Sequence, residues 1–421
     1  MSIFTSKHLL LGVTGSIAAC KAADLASKLT QEGAQVDVIL TSAAEKFVTP
    51  LTFQSVTGRK AFTEADLWGG EAHVLHVGLG HSADLLVIAP CTANTLAKLA
   101  HGIADNLLTI TALAACGERS QTTRCPLLIA PAMDVGMFSH PATQENLRIL
   151  VARGAYIAGP TEGRMASGLV GKGRMIEPAE LLGHIRLVLG KNGKLAGKKV
   201  VVTAGGTQEP LDPVRVLTNR SSGKQGYALA QAALDAGAQV TLISAPTSLI
   251  APVGARLVEV RTAQEMLEAV LAEAAGAEAL LMAAAVADFR PKTIAGDKLK
   301  KRDGIPQIEL EAAPDILETV SSTSLGAGAG LGSGKKRPRV VIGFAAESRD
   351  LLQNAAAKLA SKKLDMIAAN DISAPDAGFG ADSNRVTLVY ADGKKEALPL
   401  MSKAEVAETI IARLAALLEN K

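Results

Sequence analysis

Aromatic side chains are scarce: the 421 residues include 1 tryptophan, 3 tyrosines and 8 phenylalanines, 3% in all. The core must therefore be largely aliphatic. Strong charge of either sign is missing too. The net charge of +3 is too small to point to nucleic acid, and no block of lysine and arginine is long enough to form a basic tract. Cysteine is limited to Cys20, Cys91, Cys116 and Cys125, with no CxxC or paired spacing, so a reduced cytosolic compartment is the default. No apolar run approaches the roughly 20 residues of a membrane span. The N-terminal KHLLLGVTGSIAAC imitates a signal peptide with a lipobox at Cys20, but Gly12 and Gly15 interrupt its apolar run and a helix-like KAADLASKLTQEG follows directly. A cytoplasmic protein without membrane or nucleic-acid partners is expected. Two nucleotide fingerprints are also absent, the GxxxxGK[ST] phosphate loop and GxGxxG. The lack of the second disfavours an NAD(P)-dependent oxidoreductase.

What is present is the mix of a globular α/β protein, 48% hydrophobic and 20% charged, at a length that suits two domains. Residues 9–13, 35–40, 84–89 and 126–130 read as buried strands, with a shorter one at 155–158. Helical periodicity covers 17–31, 93–99, 106–115 and 141–153. Strands ending in short loops of Ser, Thr, Asn or Gly are what a doubly wound parallel sheet offers a ligand. Residues 159–175 hold six glycines or prolines and are expected to form a loop long enough to act as a lid. A helix over 178–189 closes this unit. The basic, glycine-containing KNGKLAGKK, residues 191–199, is the expected linker between a first domain over 1–190 and a second over 200–421.

The second half is organised around Val200 to Gln231. An apolar run, Val200-Val201-Val202-Thr203, breaks into Gly205-Gly206-Thr207, and a loop with Pro210 and Pro213 follows. Ser221-Ser222-Gly223-Lys224-Gln225-Gly226 then leads into a helix over 227–236. Strand, glycine loop and helix N-terminus together present free N–H groups to a phosphate. GAQV occurs at 33–36 and again at 237–240, each time between a helix and a strand, which suggests two Rossmann-like units. Further strands are expected at 279–284, 340–343, 366–369 and 385–390, a glycine-rich tether at 321–338, and an amphipathic terminal helix at 403–418.

EPLDPVR with its downstream N-x-SSGKxG resembles the nucleotide-dependent ligase half of the bifunctional phosphopantothenoylcysteine decarboxylase / phosphopantothenate–cysteine ligase family. VTGSIAACK, HVGLGHSADL, APCTANTLAK, PAMDVGMF and GKGRM resemble its flavin-dependent decarboxylase half. For the first half the resemblance implies flavin mononucleotide (FMN), with Gly15, Ser16 and Ser42 at its phosphate and Thr92 and Asn94 at its ring or phosphate. A helix N-terminus and hydroxyls suit that phosphate. His76 matches the family's catalytic histidine, as base or as partner of the substrate carboxylate. By spacing alone, His73, His76 and His81 would read as surface-loop residues.

Two positions depart from the family pattern. Asp134 stands where asparagine is usual, and an anion there would repel a substrate carboxylate unless protonated or turned away. Ser167 stands where many members carry the cysteine that protonates the enethiol intermediate, and a hydroxyl is a far weaker acid than a thiol. Cys91 and a burial-raised Asp134 are the alternative proton sources, although Cys91 reads first as a small buried filler.

For the second half the resemblance implies CTP as co-substrate with Mg2+, and an acyl-cytidylate of 4′-phosphopantothenate that cysteine then attacks. Asn219 matches the residue associated with that intermediate. Asp288 and Lys298, the latter within the cationic KLKK run, match nucleotide-handling positions, as do Pro314, Asp315, Ile316 and Leu317. Phe344 is placed to wall the base, and Lys358 and Lys362 share a helix face four residues apart. The metal ligands are unknown. The resemblance further implies a homo-oligomer of trimeric decarboxylase and dimeric ligase units. A competing reading keeps only the ligase active, with the first half a flavin-binding oligomerisation scaffold.

Overall fold

The computed structural model describes residues 2–69, 74–117, 125–301, 305–322, 337–347, 350–371 and 382–420. The chain divides into two units, Met1–Leu189 and Gly190–Lys421. The first contains β1 (His8–Val13), α1 (Ala19–Gln31), β2 (Gln35–Leu40), α2 (Pro50–Thr57), β3 (Ala61–Phe62), α3 (Leu75–Ser82), β4 (Leu85–Cys91), α4 (Ala93–His101) and α5 (Leu107–Cys116). It continues with β5 (Leu127–Pro131), α6 (Val135–Ser139), α7 (Pro141–Ala152), β6 (Tyr156–Ile157), β7 (Thr161–Arg164), β8 (Val170–Arg174) and α8 (Pro178–Gly190).

Its six-stranded sheet has the order β3-β2-β1-β4-β5-β6, parallel throughout. Helices cover both faces, so the strands read as continuous apolar runs. Alternate residues serve opposite layers: Leu9, Leu11 and Val13 pack with α1 and α8 residues such as Leu25 and Ile185, while Leu10, Leu86 and Ile88 pack with Leu96 and Leu108. Gly12 permits one close approach, since a Cβ there would lie 2.5 Å from Leu108 Cδ1. β1 sits between β2 and β4, where the connections reverse direction. That is the switch point at which open α/β sheets receive ligands.

Residues 159–175 differ from the expected loop: they form an antiparallel hairpin, β7 with β8. TEGR and VGKGR carry no apolar alternation, and most of their residues are exposed, so only backbone pairing marks them as strands. α3 likewise replaces the surface-loop reading around His76.

The second unit contains β9 (Lys199–Ala204), β10 (Gln208–Pro210), β11 (Val216–Thr218), α9 (Lys224–Asp235), β12 (Gln239–Ser244), β13 (Arg256–Glu259), α10 (Ala263–Ala274), β14 (Ala279–Met282), β15 (Phe289–Pro291) and β16 (Leu310–Ala312). After these come α11 (Ile316–Ser322), β17 (Val340–Glu347), α12 (Leu351–Ser361), β18 (Met366–Asp371), β19 (Ser383–Asn384), β20 (Val386–Tyr390), β21 (Lys395–Ala397), β22 (Met401–Ser402) and α13 (Lys403–Glu419). The sheet order is β13-β12-β9-β14-β17-β18-β20-β21. It is parallel as far as β18 and antiparallel through β20 and β21. Within residues 191–199, read from sequence as a linker, Lys199 already belongs to β9, and Leu195 is buried with its amide donating to Ala236 O at 2.7 Å. Residues 323–336, most of the expected tether, lie outside the described residues.

The GAQV echo has a structural basis. Gly33 and Gly237 both take positive φ, 97° and 89°, just past α1 and α9. The following amides then reach back, Ala34 N to Leu29 O and Ala238 N to Ala233 O, both at 3.0 Å. This is the Schellman helix stop, which needs a left-handed residue and hence favours glycine.

A polar cluster fastens β1 to β2 in the first unit. Arg59 Nε donates to Asp37 Oδ1 and His8 Nε2 meets Asp37 Oδ2, each at 2.6 Å, while His8 Nδ1 lies 3.1 Å from Ser82 O. The hydrogen bond to Asp37 raises the His8 pKa above its ordinary 6.5. Burial pushes Asp37 up, but His8 and Arg59 outweigh it and hold the carboxyl below its usual range. A raised folded pKa contributes stability that is complete below the unfolded value and lost as pH rises through the folded one. Stability curves for the parent and for His8→Gln should therefore differ by about 1.5–3 kcal/mol below pH 6.5, the range for a bond to a charged group, and converge as pH rises through the raised His8 value. A constant difference across that range would contradict the assignment.

Candidate functional site

In the first unit the loops after β1, β2, β4 and β5 meet at the carboxyl edge of the sheet. Gly15 is required by contact, because a Cβ there would sit 2.5 Å from Ala43 Cβ. The Gly15-Ser16 turn is thereby pressed against the Ser42-Ala43 loop, with Ser42 exposed. Ser16 N donates to Thr14 O at 2.9 Å, and Ser16 Oγ accepts from Ala18 N at 3.3 Å. The α1 N-cap, Ala18, supplies no side-chain cap, so the dipole at this N-terminus is open to an anion. Thr14 bridges the switch point: its hydroxyl donates to Pro90 O at 2.8 Å and accepts from Thr92 N at 3.1 Å. Thr92 caps α4, and Asn94 stands exposed in that helix's first turn. A glycine-tight turn, an uncapped helix and exposed Ser42 and Asn94 at one switch point fit a flavin phosphate and ring edge.

The lid hairpin lies on the loop after β5, with Met133 N donating to Gly173 O at 3.0 Å. A Cβ at Gly173 would run into the Met133 carbonyl oxygen. The two departures from the family pattern touch each other: Ser167 Oγ donates to Asp134 Oδ2 at 2.5 Å, and Asp134 Oδ1 accepts from Gly136 N at 3.1 Å. The Ser167 hydroxyl, then the Gly136 amide, hold the Asp134 carboxyl below its usual range. This corrects the expectation of a burial-raised acid. Cys91 fares no better as a donor, since it is fully buried and burial pushes its thiol far up. It fills space. His76 sits half-buried in the first turn of α3, with His81 on the same helix; His73 lies outside the described residues.

In the second unit β9 runs into Gly205 and Gly206. Gly205 has φ +82°, and a Cβ there would meet Ala245 O at 2.7 Å; at Gly206 it would meet Asn219 O at 2.8 Å. Gly206 walls a cavity of about 340 Å³ that is also lined by Thr218, Asn219, Ser221, Ser222 and Pro246, among others. Asn219 is fixed at its rim, with Nδ2 donating to Val286 O at 3.1 Å and Ala285 O at 3.3 Å. Thr207 braces the neighbouring backbone: its Oγ1 accepts from Ala287 N at 2.9 Å and its carbonyl accepts from Thr218 Oγ1 at 2.7 Å.

The remaining candidates divide. Asp288 is exposed, and its carbonyl accepts from Ala313 N at 2.9 Å, which sets Pro314 and Asp315 beside it. Asp315 caps α11 through Glu318 N at 2.8 Å and pairs with Lys362 at 2.9 Å. Lys362 also pairs with Glu318 at 2.8 Å, so its charge is already matched by two carboxylates. Lys358 Nζ donates to Phe344 O at 3.0 Å. Ile316 and Leu317, expected at the nucleotide, turn their side chains into the core beside Leu359 and Leu364. Lys298 is exposed on a loop without regular structure. No group of three or more His, Cys, Asp or Glu suited to a metal occurs among the described residues, and none of their helices is long and apolar enough to cross a membrane.

Sequence reasoning missed Asp212 and Arg215. The Asp212 carboxylate is buried inside the proline-rich loop and accepts from the amides of Val214 and Arg215, both at 2.8 Å. The signal was there: aspartate beside proline in EPLDPVR is turn chemistry.

Two family models match the chain, Flavoprotein over residues 4–189 and DNA/pantothenate metabolism flavoprotein C-terminal domain over 195–418. The coenzyme A biosynthesis bifunctional protein CoaBC of Bacillus subtilis (strain 168) is 44% identical over 418 residues, 99% of this chain and 98% of that protein. Its counterpart in Mycobacterium tuberculosis (strain ATCC 25618 / H37Rv) is 42% identical over 415 residues, 96% of this chain and 95% of that protein. Among solved structures, the C-terminal domain of a CoaBC protein is 38% identical, covers 54% of this chain and all of its own, and superposes with a TM-score of 0.45. The chain belongs to the family of bifunctional coenzyme A biosynthesis proteins, a flavoprotein half followed by a pantothenate-metabolism half.

Proposed function

We propose that residues 200–421 catalyse CTP-dependent ligation of cysteine to 4′-phosphopantothenate, and that residues 1–190 decarboxylate the product to 4′-phosphopantetheine with FMN. The observation that carries the ligase reading is Asn219, held by two carbonyls at the rim of a glycine-walled cavity. In the first step the substrate carboxylate attacks the α-phosphorus of CTP and pyrophosphate leaves. Exposed Lys298, Lys300 and Lys301 offset the charge of the triphosphate and of that leaving group. In the second step the amine of cysteine attacks the acyl carbon, CMP leaves, and Asn219 handles the acyl-cytidylate between the two. Lys362, matched by Asp315 and Glu318, acts by holding the start of α11 in place rather than as a free cation. Magnesium bound with the nucleotide would offset charge on its phosphates.

In the first half Gly15, Ser16 and Ser42 hold the flavin phosphate, and Thr92 and Asn94 contact the flavin at the switch point. Bound FMN supplies the two-electron oxidation of the cysteinyl thiol that lets carbon dioxide leave, and the later return of hydride. His76 orients the substrate carboxylate or accepts a proton. Ser167 stands at the position of the proton donor, with its hydroxyl directed at an ionised Asp134. That contact favours a second reading, in which the ligase works and the flavoprotein half is a scaffold. By likeness to the family, the assembly combines trimeric decarboxylase and dimeric ligase units.

Two measurements on the purified protein test the main reading. Visible absorbance should reveal bound flavin, and pyrophosphate should be released from CTP only when 4′-phosphopantothenate is added. A colourless protein would remove the first half's role, and release without 4′-phosphopantothenate would remove the second's.

A further inference from the structure

The KLKK segment is exposed and irregular, yet one point of it is gripped on both sides. Leu299 N donates to Asp212 Oδ2 at 3.1 Å, and Leu299 O accepts from Arg215 Nη1 at 2.9 Å. Arg215 Nη1 also meets Asp212 Oδ2 at 2.8 Å, so carboxylate, guanidinium and peptide close a ring. A further bond lies alongside, Ala295 N to Leu211 O at 3.1 Å. The gripping loop is itself rigid, since Leu211 N donates back to Arg215 O at 2.9 Å. The Asp212 side chain is completely withdrawn from solvent. Burial pushes its pKa up, but the amides of Val214, Leu299 and Arg215 more than compensate and keep it ionised. A buried carboxylate that spends one oxygen on a segment 87 residues away is costly unless its bonds are made. Lys298 and Lys300 flank the gripped residue. Both side chains are exposed, while their backbone is held at Leu299.

Resting on the ligase reading above, we propose that Asp212 is a positioning residue for nucleotide activation: by holding the Leu299 amide it places Lys298 and Lys300 at the triphosphate. Asp212 itself touches no substrate.

Asp212→Asn tests this with little change of shape. Oδ1 can still cap the turn, but an NH2 group would face the Leu299 amide and the Arg215 guanidinium, donor against donor. Leu299→Pro removes the amide from the other side and leaves the Asp212 turn intact. Each variant of the full-length protein should lower kcat for 4′-phosphopantothenate-dependent pyrophosphate release by about tenfold or more, equivalent to about 1.4 kcal/mol of barrier. The KM for 4′-phosphopantothenate should stay within about twofold, because the Asn219 cavity is untouched. Trypsin should cut after Lys300 about tenfold faster, since cleavage follows the population of the released loop. The proposal is overturned if release stays at the parent's rate, if cutting after Lys300 is unchanged, or if the KM for 4′-phosphopantothenate rises in step with the loss. A parent that releases no pyrophosphate overturns the ligase reading and this proposal together; an active parent with insensitive variants overturns this proposal alone.

Discussion

Lys298→Gln should abolish pyrophosphate release from CTP, lowering kcat by about 100-fold or more. Glutamine keeps a polar tip on a side chain one atom shorter and removes the positive charge. That charge matters most when pyrophosphate departs, because negative charge then accumulates on the bridging and terminal oxygens. Lys298 is exposed and its neighbour Leu299 is anchored, so the change should leave the fold alone. By contrast Lys362 is balanced by two carboxylates and Lys358 is tied to the Phe344 carbonyl by a hydrogen bond, so substituting those residues should disturb the α11–α12 region before it disturbs charge at the phosphates. A Lys298→Gln protein that released pyrophosphate at the parent's rate would remove this residue from the mechanism.

Ser167→Cys should raise the rate of 4′-phosphopantetheine formation by about tenfold or more, the lower part of the range for general acid catalysis, with flavin content unchanged. The present arrangement is a poor proton source. The Ser167 hydroxyl is committed to Asp134, Asp134 is ionised, and Cys91 is sealed in the core. A thiol at 167 would be a much stronger acid than the hydroxyl, and the adjacent carboxylate would discourage loss of its proton before it is needed. If Ser167→Cys slows the reaction while Ser167→Ala leaves the parent's rate untouched, position 167 is not the acid site.

Strands β1, β2, β4 and β5 of the first sheet were legible because parallel strands buried on both faces are simple apolar runs, whereas the two-residue β3 was not. β1 and β2 emerge from their sequences almost to the residue. The paired glycines at 33 and 237 were legible as an echo, and their positive φ explains why glycine recurs. The hairpin over 159–175 was not legible, since TEGR and VGKGR bury little and pair only through backbone. α3 was hidden for a similar reason, its two glycines interrupting the helical period. At the sites, single residues such as Asn219 and Lys298 could be proposed from a motif, but their supports could not. The grip of Asp212 on Leu299, the pairing of Ser167 with Asp134 and the inward turn of Ile316 and Leu317 are tertiary facts, joining segments far apart or depending on which face a helix buries.

The most direct test of the account is a single incubation of the full-length protein with 4′-phosphopantothenate, cysteine, CTP and magnesium, followed by mass spectrometry of the products over time. The account predicts pyrophosphate and 4′-phosphopantothenoylcysteine first, then 4′-phosphopantetheine formed from it with loss of carbon dioxide. Accumulation of 4′-phosphopantothenoylcysteine with no 4′-phosphopantetheine, from protein that carries flavin, would contradict the claim that one chain performs both reactions.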